Sequence, residues 1–324
     1  MRNLRCFLPV LTLAIVPAGL FAADSGLLRL VMPDAKVVAG LQVDRTRDSQ
    51  FGQFVLSQMQ LNDPAFQRFV VETGFDPRKD IKELVIASNW QSASTQSRWL
   101  VMAKGAFDLE KIQRVAERNG TAASSFQGAS IYVFAGRGSP DSDNAIAFLD
   151  VSSAVMGDVA SVKAAIQRKK SGAEASSDLL EKVKDVSAKN DFWFVTLVPL
   201  SEFDLALPNP TANGAMHGNM LTAINQASGG IRFGEMVTIS ANVVARSDKD
   251  ALALVDVVKF LVSMLQLNRQ NDAVAGQVSG MLDPLETKTS GNVMSLSLAV
   301  PEQQLERLFN NVARPGRVPN STPR

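Results

Sequence analysis

Trp99–Arg118 reads WLVMAKGAFDLEKIQRVAER, and the change of period along it decides the fold class. Arg98–Ala103 is an apolar run of strand length. Asp108 then stands where a helix N-cap belongs, and Leu109, Ile112, Val115 and Ala116 fall on one helical face. Asn119-Gly120 closes the helix. The same order of strand, tight turn and amphipathic helix recurs at Ala154–Lys169, Val237–Leu265 and Met294–Phe309. Strands interleaved with helices, several joined by hairpins, predict an α+β fold. The expectation is an antiparallel or mixed sheet with helices packed on one face, built from ferredoxin-like strand-helix units.

Working outward, Asp34–Val43 (DAKVVAGLQV) predicts a strand covered on both faces. Helices are expected at Phe51–Met59 and Pro64–Thr73, and a strand at Glu83–Ser88. Beyond the opening stretch come strands at Ala129–Ala135, Ala145–Asp150 and Ser153–Gly157. The helix Val159–Lys170 finishes in Arg168-Lys169-Lys170, the charge sign that suits a helix carboxyl end. Small residues at Ser171–Ser177 mark a boundary, after which the plan restarts with helix Leu179–Ser187 and the apolar strand Phe192–Val198. A helix at Met220–Ala227, a strand at Glu235–Ala245 and a helix at 248–267 follow, the last opened by a Ser247/Asp250 capping box. Asn271–Leu285 reads as helix, Asn292–Val300 as strand, and Pro301 sits in the first turn of a helix through Phe309. Two related halves, 23–172 and 173–312, are expected, with a disordered tail at 313–324. Leu27-Leu28 ahead of the first strand matches Leu179-Leu180, and Glu83-Leu84-Val85 matches Glu235-Met236-Val237.

The first 22 residues form a separate unit. Arg2 and Arg5 precede an apolar run from Phe7 to Leu20, broken by Pro9 and Pro17, and then Ala22 and Ala23 lead into Asp24-Ser25-Gly26. This is the order of a secretory signal peptide, too short and interrupted for a membrane anchor, with cleavage expected after Ala22. A periplasmic or secreted protein is predicted, with no integral membrane segment once the signal is gone. The chain's one cysteine, Cys6, lies in this segment, so the exported part needs no disulfide. A formal net charge of +1 gives no electrostatic basis for binding nucleic acid or an anionic membrane surface.

Composition also removes enzyme classes. One histidine, His217, excludes HExxH zinc sites and multi-histidine metal centres. There is no GxSxG elbow, no Gly-Lys of a phosphate loop, and no serine with lysine three residues on to complete the hint of Lys288-Thr289-Ser290. Met216, His217 and Met220 offer soft ligands of the kind copper takes, against a plain loop leading into a helix. Asp141-Ser142-Asp143-Asn144 resembles a calcium loop, but the sixth and twelfth places hold Ile146 and Ser152, so a solvated hairpin is expected. Asp76, Asp80, Asp191 and Glu235 stand at turns and strand edges, where no acid-base pair is legible. Trp99 and Trp193 are read as core. No catalytic residue, metal ligand or cofactor is assigned, and the ligand-binding residues are unknown.

Helix 248–267 is apolar around most of its circumference, with Asp256, Lys259, Ser263 and Gln266 forming one narrow polar stripe. Such a helix is buried within its own half or lines a groove for an apolar ligand or another protein.

Thr73–Ile81 (TGFDPRKDI) leading into ELVIA, the start LLRLVMPDAKVVAGLQVD and the finish NVMSLSLAVPEQQLERLF together resemble a group of exported bacterial proteins. That group, acidobacterial in type, carries a domain of unknown function. The resemblance implies an envelope or secreted protein of duplicated α+β build and transfers no active-site residue. The expected function is non-enzymatic binding or scaffolding in the bacterial envelope. The alternatives are a carrier of lipid or another apolar ligand in a sheet-helix cavity, and a hydrolase built on carboxylates.

Overall fold

The computed structural model describes residues 22–58, 64–91, 97–120, 123–134, 143–172, 175–203, 221–267 and 273–312. Among these the strands are β1 Val37–Gln42, β2 Ile81–Ser88, β3 Trp99–Gly105, β4 Ala123–Phe126, β5 Ala129–Phe134 and β6 Asn144–Asp150. They continue with β7 Ser153–Asp158, β8 Phe192–Thr196, β9 Ile224–Arg232, β10 Met236–Ala245, β11 Glu286–Ser290 and β12 Val293–Pro301. The helices are α1 Ser25–Leu28, α2 Val43–Arg47, α3 Gln50–Gln58, α4 Pro64–Thr73, α5 Pro77–Asp80 and α6 Leu109–Arg118. After them come α7 Val159–Ser171, α8 Ser177–Lys189, α9 Asp248–Leu267, α10 Ala273–Met281 and α11 Glu302–Val312. The fold is α+β.

All the described strands join one antiparallel sheet in the order β11-β12-β10-β9-β8-β1-β2-β3-β7-β6-β5-β4. Outward from the central β1/β8 pair, β1-β2-β3-β7-β6 is answered by β8-β9-β10-β12-β11, and the hairpin β4–β5 extends one end. Leu27-Leu28 and Leu179-Leu180 precede strands in matching places, β1 and β8. Glu83 lies on β2, whose counterpart by position is β9 rather than the β10 that follows Glu235.

At the centre, Gly40 of β1 faces Trp193 of β8. Trp193 is fully buried, and a Cβ on Gly40 would stand 2.2 Å from its ring. The missing side chain is thus what lets the largest core residue lie flat across the junction of the two halves. Trp99 is half-buried at the start of β3.

One face of the sheet carries the main core. Val38, Val85, Leu100, Met102, Val155, Trp193 and Val195 pack there against Leu27 of α1, Val162 and Ile166 of α7, and Leu179 and Val183 of α8. On the opposite face α6 covers Ala103, Tyr132 and Phe148, α9 covers Val243 and Met294, and α3, α10 and α11 cover Val237 and Val300. The expected arrangement of helices on one face is therefore corrected: β1–β3 and β6–β8 have helices on both. Across β10 and β12 the main-core face is polar instead, showing Thr238, Ser240, Asn242, Ser295 and Ser297. A strand with helices on both sides must be apolar at every position, which is why DAKVVAGLQV and FWFVTLV lack alternation.

Two expected helices are replaced. In place of a helix at Met220–Ala227, a short 3-10 turn at Leu221–Ala223 runs into β9. Gly229 and Gly230 lie mid-strand with neighbouring carbonyls 2.4 and 2.3 Å from where a Cβ would be. The close approach requires glycine, and glycine erases the strand's sequence pattern. The helix expected to reach Leu285 ends at Met281, and β11 follows. Strands β4 (ASSF) and β11 (ETKTS) are the sheet's edges, short and polar as edges that resist further pairing must be.

Helix α9 is buried only at Ala251, Leu254 and Val255. Phe260 is 59% exposed and Leu267 82%, so the expectation of burial around most of the circumference fails. A single layer of helices covers this face, and the outward side of α9 meets solvent.

The halves are tied by polar contacts as well. Arg45 Nε lies 2.8 Å from Asp191 Oδ1, and the amide of Phe233 donates to Asp191 Oδ2 at 2.7 Å. Glu302 of α11 accepts hydrogen bonds from the Ser49 hydroxyl and the Phe51 amide, capping α3 from the far half.

Candidate functional site

A cleft of about 500 Å³ opens where α1, the end of β3, the β6–β7 turn and the last turn of α7 meet. Local rules place each wall. Asp24 accepts from the amides of Gly26 and Leu27 and so starts α1. Asp150 accepts from the Ser152 amide at 2.8 Å and its hydroxyl at 2.7 Å, which closes the β6–β7 turn. Asp158 caps α7 through the Ser161 amide, and Gly172 ends it in the left-handed conformation.

The lining is cationic. Arg29, Lys104, Arg168, Lys169 and Lys170 face two carboxylates, Asp24 and Asp150. Lys104 pairs with Asp24, and Lys169 Nζ lies 2.6 Å from Asp150 Oδ2. Burial alone would raise the Asp150 carboxyl, but Lys169 and Ser152 outweigh it and hold the group well below the usual carboxylate range. Asp24 is likewise lowered, its burial outweighed by Lys104 and the α1 amides. Lys170 donates to the Gln127 carbonyl at 2.7 Å.

Arg168 differs from these. It is 8% exposed, and Nε and Nη2 both donate to the Leu30 carbonyl, at 3.1 and 2.8 Å. Burial pulls its pKa below the ordinary value, yet a guanidinium remains charged at any physiological pH. Among the described residues no carboxylate lies within ion-pair distance of it. The α7 carboxyl end carries about half a negative charge and offsets only part of this excess. The cleft lining therefore carries an excess of positive charge.

Beneath α1 lies a more buried group. Both carboxylate oxygens of Glu83 accept from the Asp24 amide, at 3.1 and 3.2 Å, and the Ala23 amide donates to the Ser187 hydroxyl at 2.9 Å. Glu83 is 5% exposed, and burial pushes its carboxyl up. Its oxygens take the Asp24 amide and the Gln42 side chain, and it does not line the cleft.

The carboxylates weighed from sequence have other duties. Asp76 caps α5 and pairs with Arg78, Asp80 accepts from the Asp76 amide at 2.6 Å, and Asp191 holds Arg45. Glu235 is exposed just ahead of β10. A second cleft brings Asp80 and Asp108 together, but Asp108 is committed to capping α6 and to Lys111. Residues 1–21 of the signal segment, Asp141, Ser142, Met216, His217, Met220 and the tail 313–324 lie outside the described residues. Asn144 opens β6 opposite Asp158.

Sequence reading registered Arg168-Lys169-Lys170 only as helix-end charge and passed over Arg29 and Lys104. Nothing in the spacing signals their meeting, because α1, β3 and α7 are brought together by the sheet. No helix of the described residues is long and apolar enough to cross a membrane. No protein-family model matches the chain. No curated protein matches it either. Among solved structures, one titled as crystal form I of TP0453 is similar over 90% of this chain and 99% of its own, at 9% identity and a TM-score of 0.48.

Proposed function

We propose that this chain is an exported, non-enzymatic binding protein of the bacterial envelope, and that the cationic cleft takes a small anionic group of phosphate type. The buried Arg168 carries this reading: it bonds a carbonyl and no carboxylate directly, with Asp34 acting on it only at longer range beside Arg98, whereas a buried charge is ordinarily paired. Calorimetric titration with inorganic pyrophosphate tests it. Wild type gives saturable binding that weakens with salt. Arg29→Glu combined with Lys170→Glu, both exposed, weakens it about tenfold or more, or 1.4 kcal/mol. No saturable heat in wild type, or equal affinity in the variant, counts against the site.

The carrier reading rests on a different place, a groove of about 390 Å³ between α9 and the α10–β11 turn, where Val258, Val262, Leu282 and Leu285 contribute apolar surface. The duplicated origin of the halves, in ferredoxin-like units, belongs to the same proposal. It is supported by the repeated strand order outward from β1/β8.

A further inference from the structure

Exposure changes across the bond expected to be cut. Ala22 is exposed, whereas Ala23 is 6% exposed with its nitrogen on Ser187. We infer that the α-ammonium freed by cleavage between Ala22 and Ala23 seats on Ser187 and Glu83, and so fixes α1 as a wall of the cationic cleft. This rests on the exported part of the functional reading, not on the anion.

Charge balance supports the seat. Glu83 accepts from the amide of Asp24, whose own carboxylate accepts from the Gly26 and Leu27 amides, and Lys104, the cation beside them, is bonded to Asp24. That leaves the more deeply buried acid, Glu83, bonded to the Asp24 amide and the Gln42 side chain, with Lys104 acting on it only from its place on Asp24. An uncompensated buried carboxylate is costly, and a cation within about 4–6 Å relieves it. The nitrogen of Ala23 is one residue from the amide already on both Glu83 oxygens. As an amide it donates one hydrogen, to Ser187. As an ammonium it gains charge and two further donors.

The consequence reaches the cleft. Asp24 starts α1 and holds Lys104, and both residues line the cleft with Arg29 just beyond. Anchoring Ala23 therefore fixes the cleft's wall. A peptidase needs the bond after Ala22 extended and accessible, so removal of the leader precedes docking, and the docked terminus is a product of export.

The test uses the exported, processed protein. Amino-terminal sequencing establishes its first residue, and reaction with cyanate at near-neutral pH then follows the α-amine, since lysines titrate far higher. Expected is a start at Ala23 and a folded-state rate about tenfold below that in urea, as a one-unit rise in amine pKa requires. In Glu83→Gln the pH midpoint of the reaction should return toward the ordinary α-amino value. In Ser187→Ala, which keeps the carboxylate, the rate should rise. A first residue other than Ala23 overturns the processing reading and the seat together. A start at Ala23 with an amine as reactive folded as unfolded, or unchanged in rate and midpoint in both variants, overturns the seat alone and leaves export standing.

Discussion

Asp150 shows how a single carboxylate serves fold and site together. It closes the β6–β7 turn through Ser152 and neutralises Lys169 at the cleft mouth. Its pKa is lowered in the folded state, so its contribution is present above the unfolded value near 3.8 and is lost as pH falls through the folded one. Asp150→Asn should therefore cost stability at pH 7, about 0.2–1 kcal/mol for so exposed a pair. The deficit should shrink as unfolding curves are taken from pH 6 down toward pH 2. A deficit that stays constant with pH would mean the turn's hydrogen bonds, which asparagine partly keeps, matter and the charge does not. The cap residue Asp108 was legible in the sequence because a cap needs only neighbours two or three residues away. Glu83 and Ser187 were not, because their partners at Ala23 and Asp24 are remote in the chain.

Helix α9 separates what an element's pattern says from what its position allows. Its apolar residues predict burial on most sides, yet its buried residues, Ala251, Leu254 and Val255, all lie in the first two turns. Leu254, 5% exposed, faces Val243 and Met294, so Leu254→Ala should cost about 2–5 kcal/mol. Leu261 is half-buried, and its replacement by alanine should cost clearly less. Denaturant unfolding of the two variants checks the order, and equal losses would show that the later turns of α9 are packed as tightly as the first. Phe260→Ser, at an exposed position, should leave stability nearly unchanged. If the carrier reading holds, it should also reduce hydrophobic-dye binding. Strands with two apolar faces or clean alternation were readable as elements. Strands β4, β9 and β11 were not: two are polar because they are edges, and one is glycine-rich because its neighbours press close.

At the scale of the molecule, the β1/β8 pairing makes the two halves one sheet, and the buried Asp191 ties β8 to α2 across it. Asp191→Ala removes the ion pair to Arg45 and the acceptor of the Phe233 amide, which should cost about 1–3 kcal/mol. Because the sheet is continuous, tryptophan fluorescence and far-ultraviolet circular dichroism should report one coincident transition in wild type and variant alike. Two separated transitions in wild type would mean the halves unfold as independent units. The sequence by itself determined the alternation of strands and helices, the position of most helix starts and the leader-like order of the first residues. These depend on periodicity and on contacts within a few residues, which one chain displays directly. Only the tertiary structure decided that the sheet is single, that helices lie on both faces of the first half, and that Arg29, Lys104 and Arg168 share a cleft above Glu83. Those facts depend on which strands become neighbours, and the free energy that selects neighbours is spread over a core no short stretch contains.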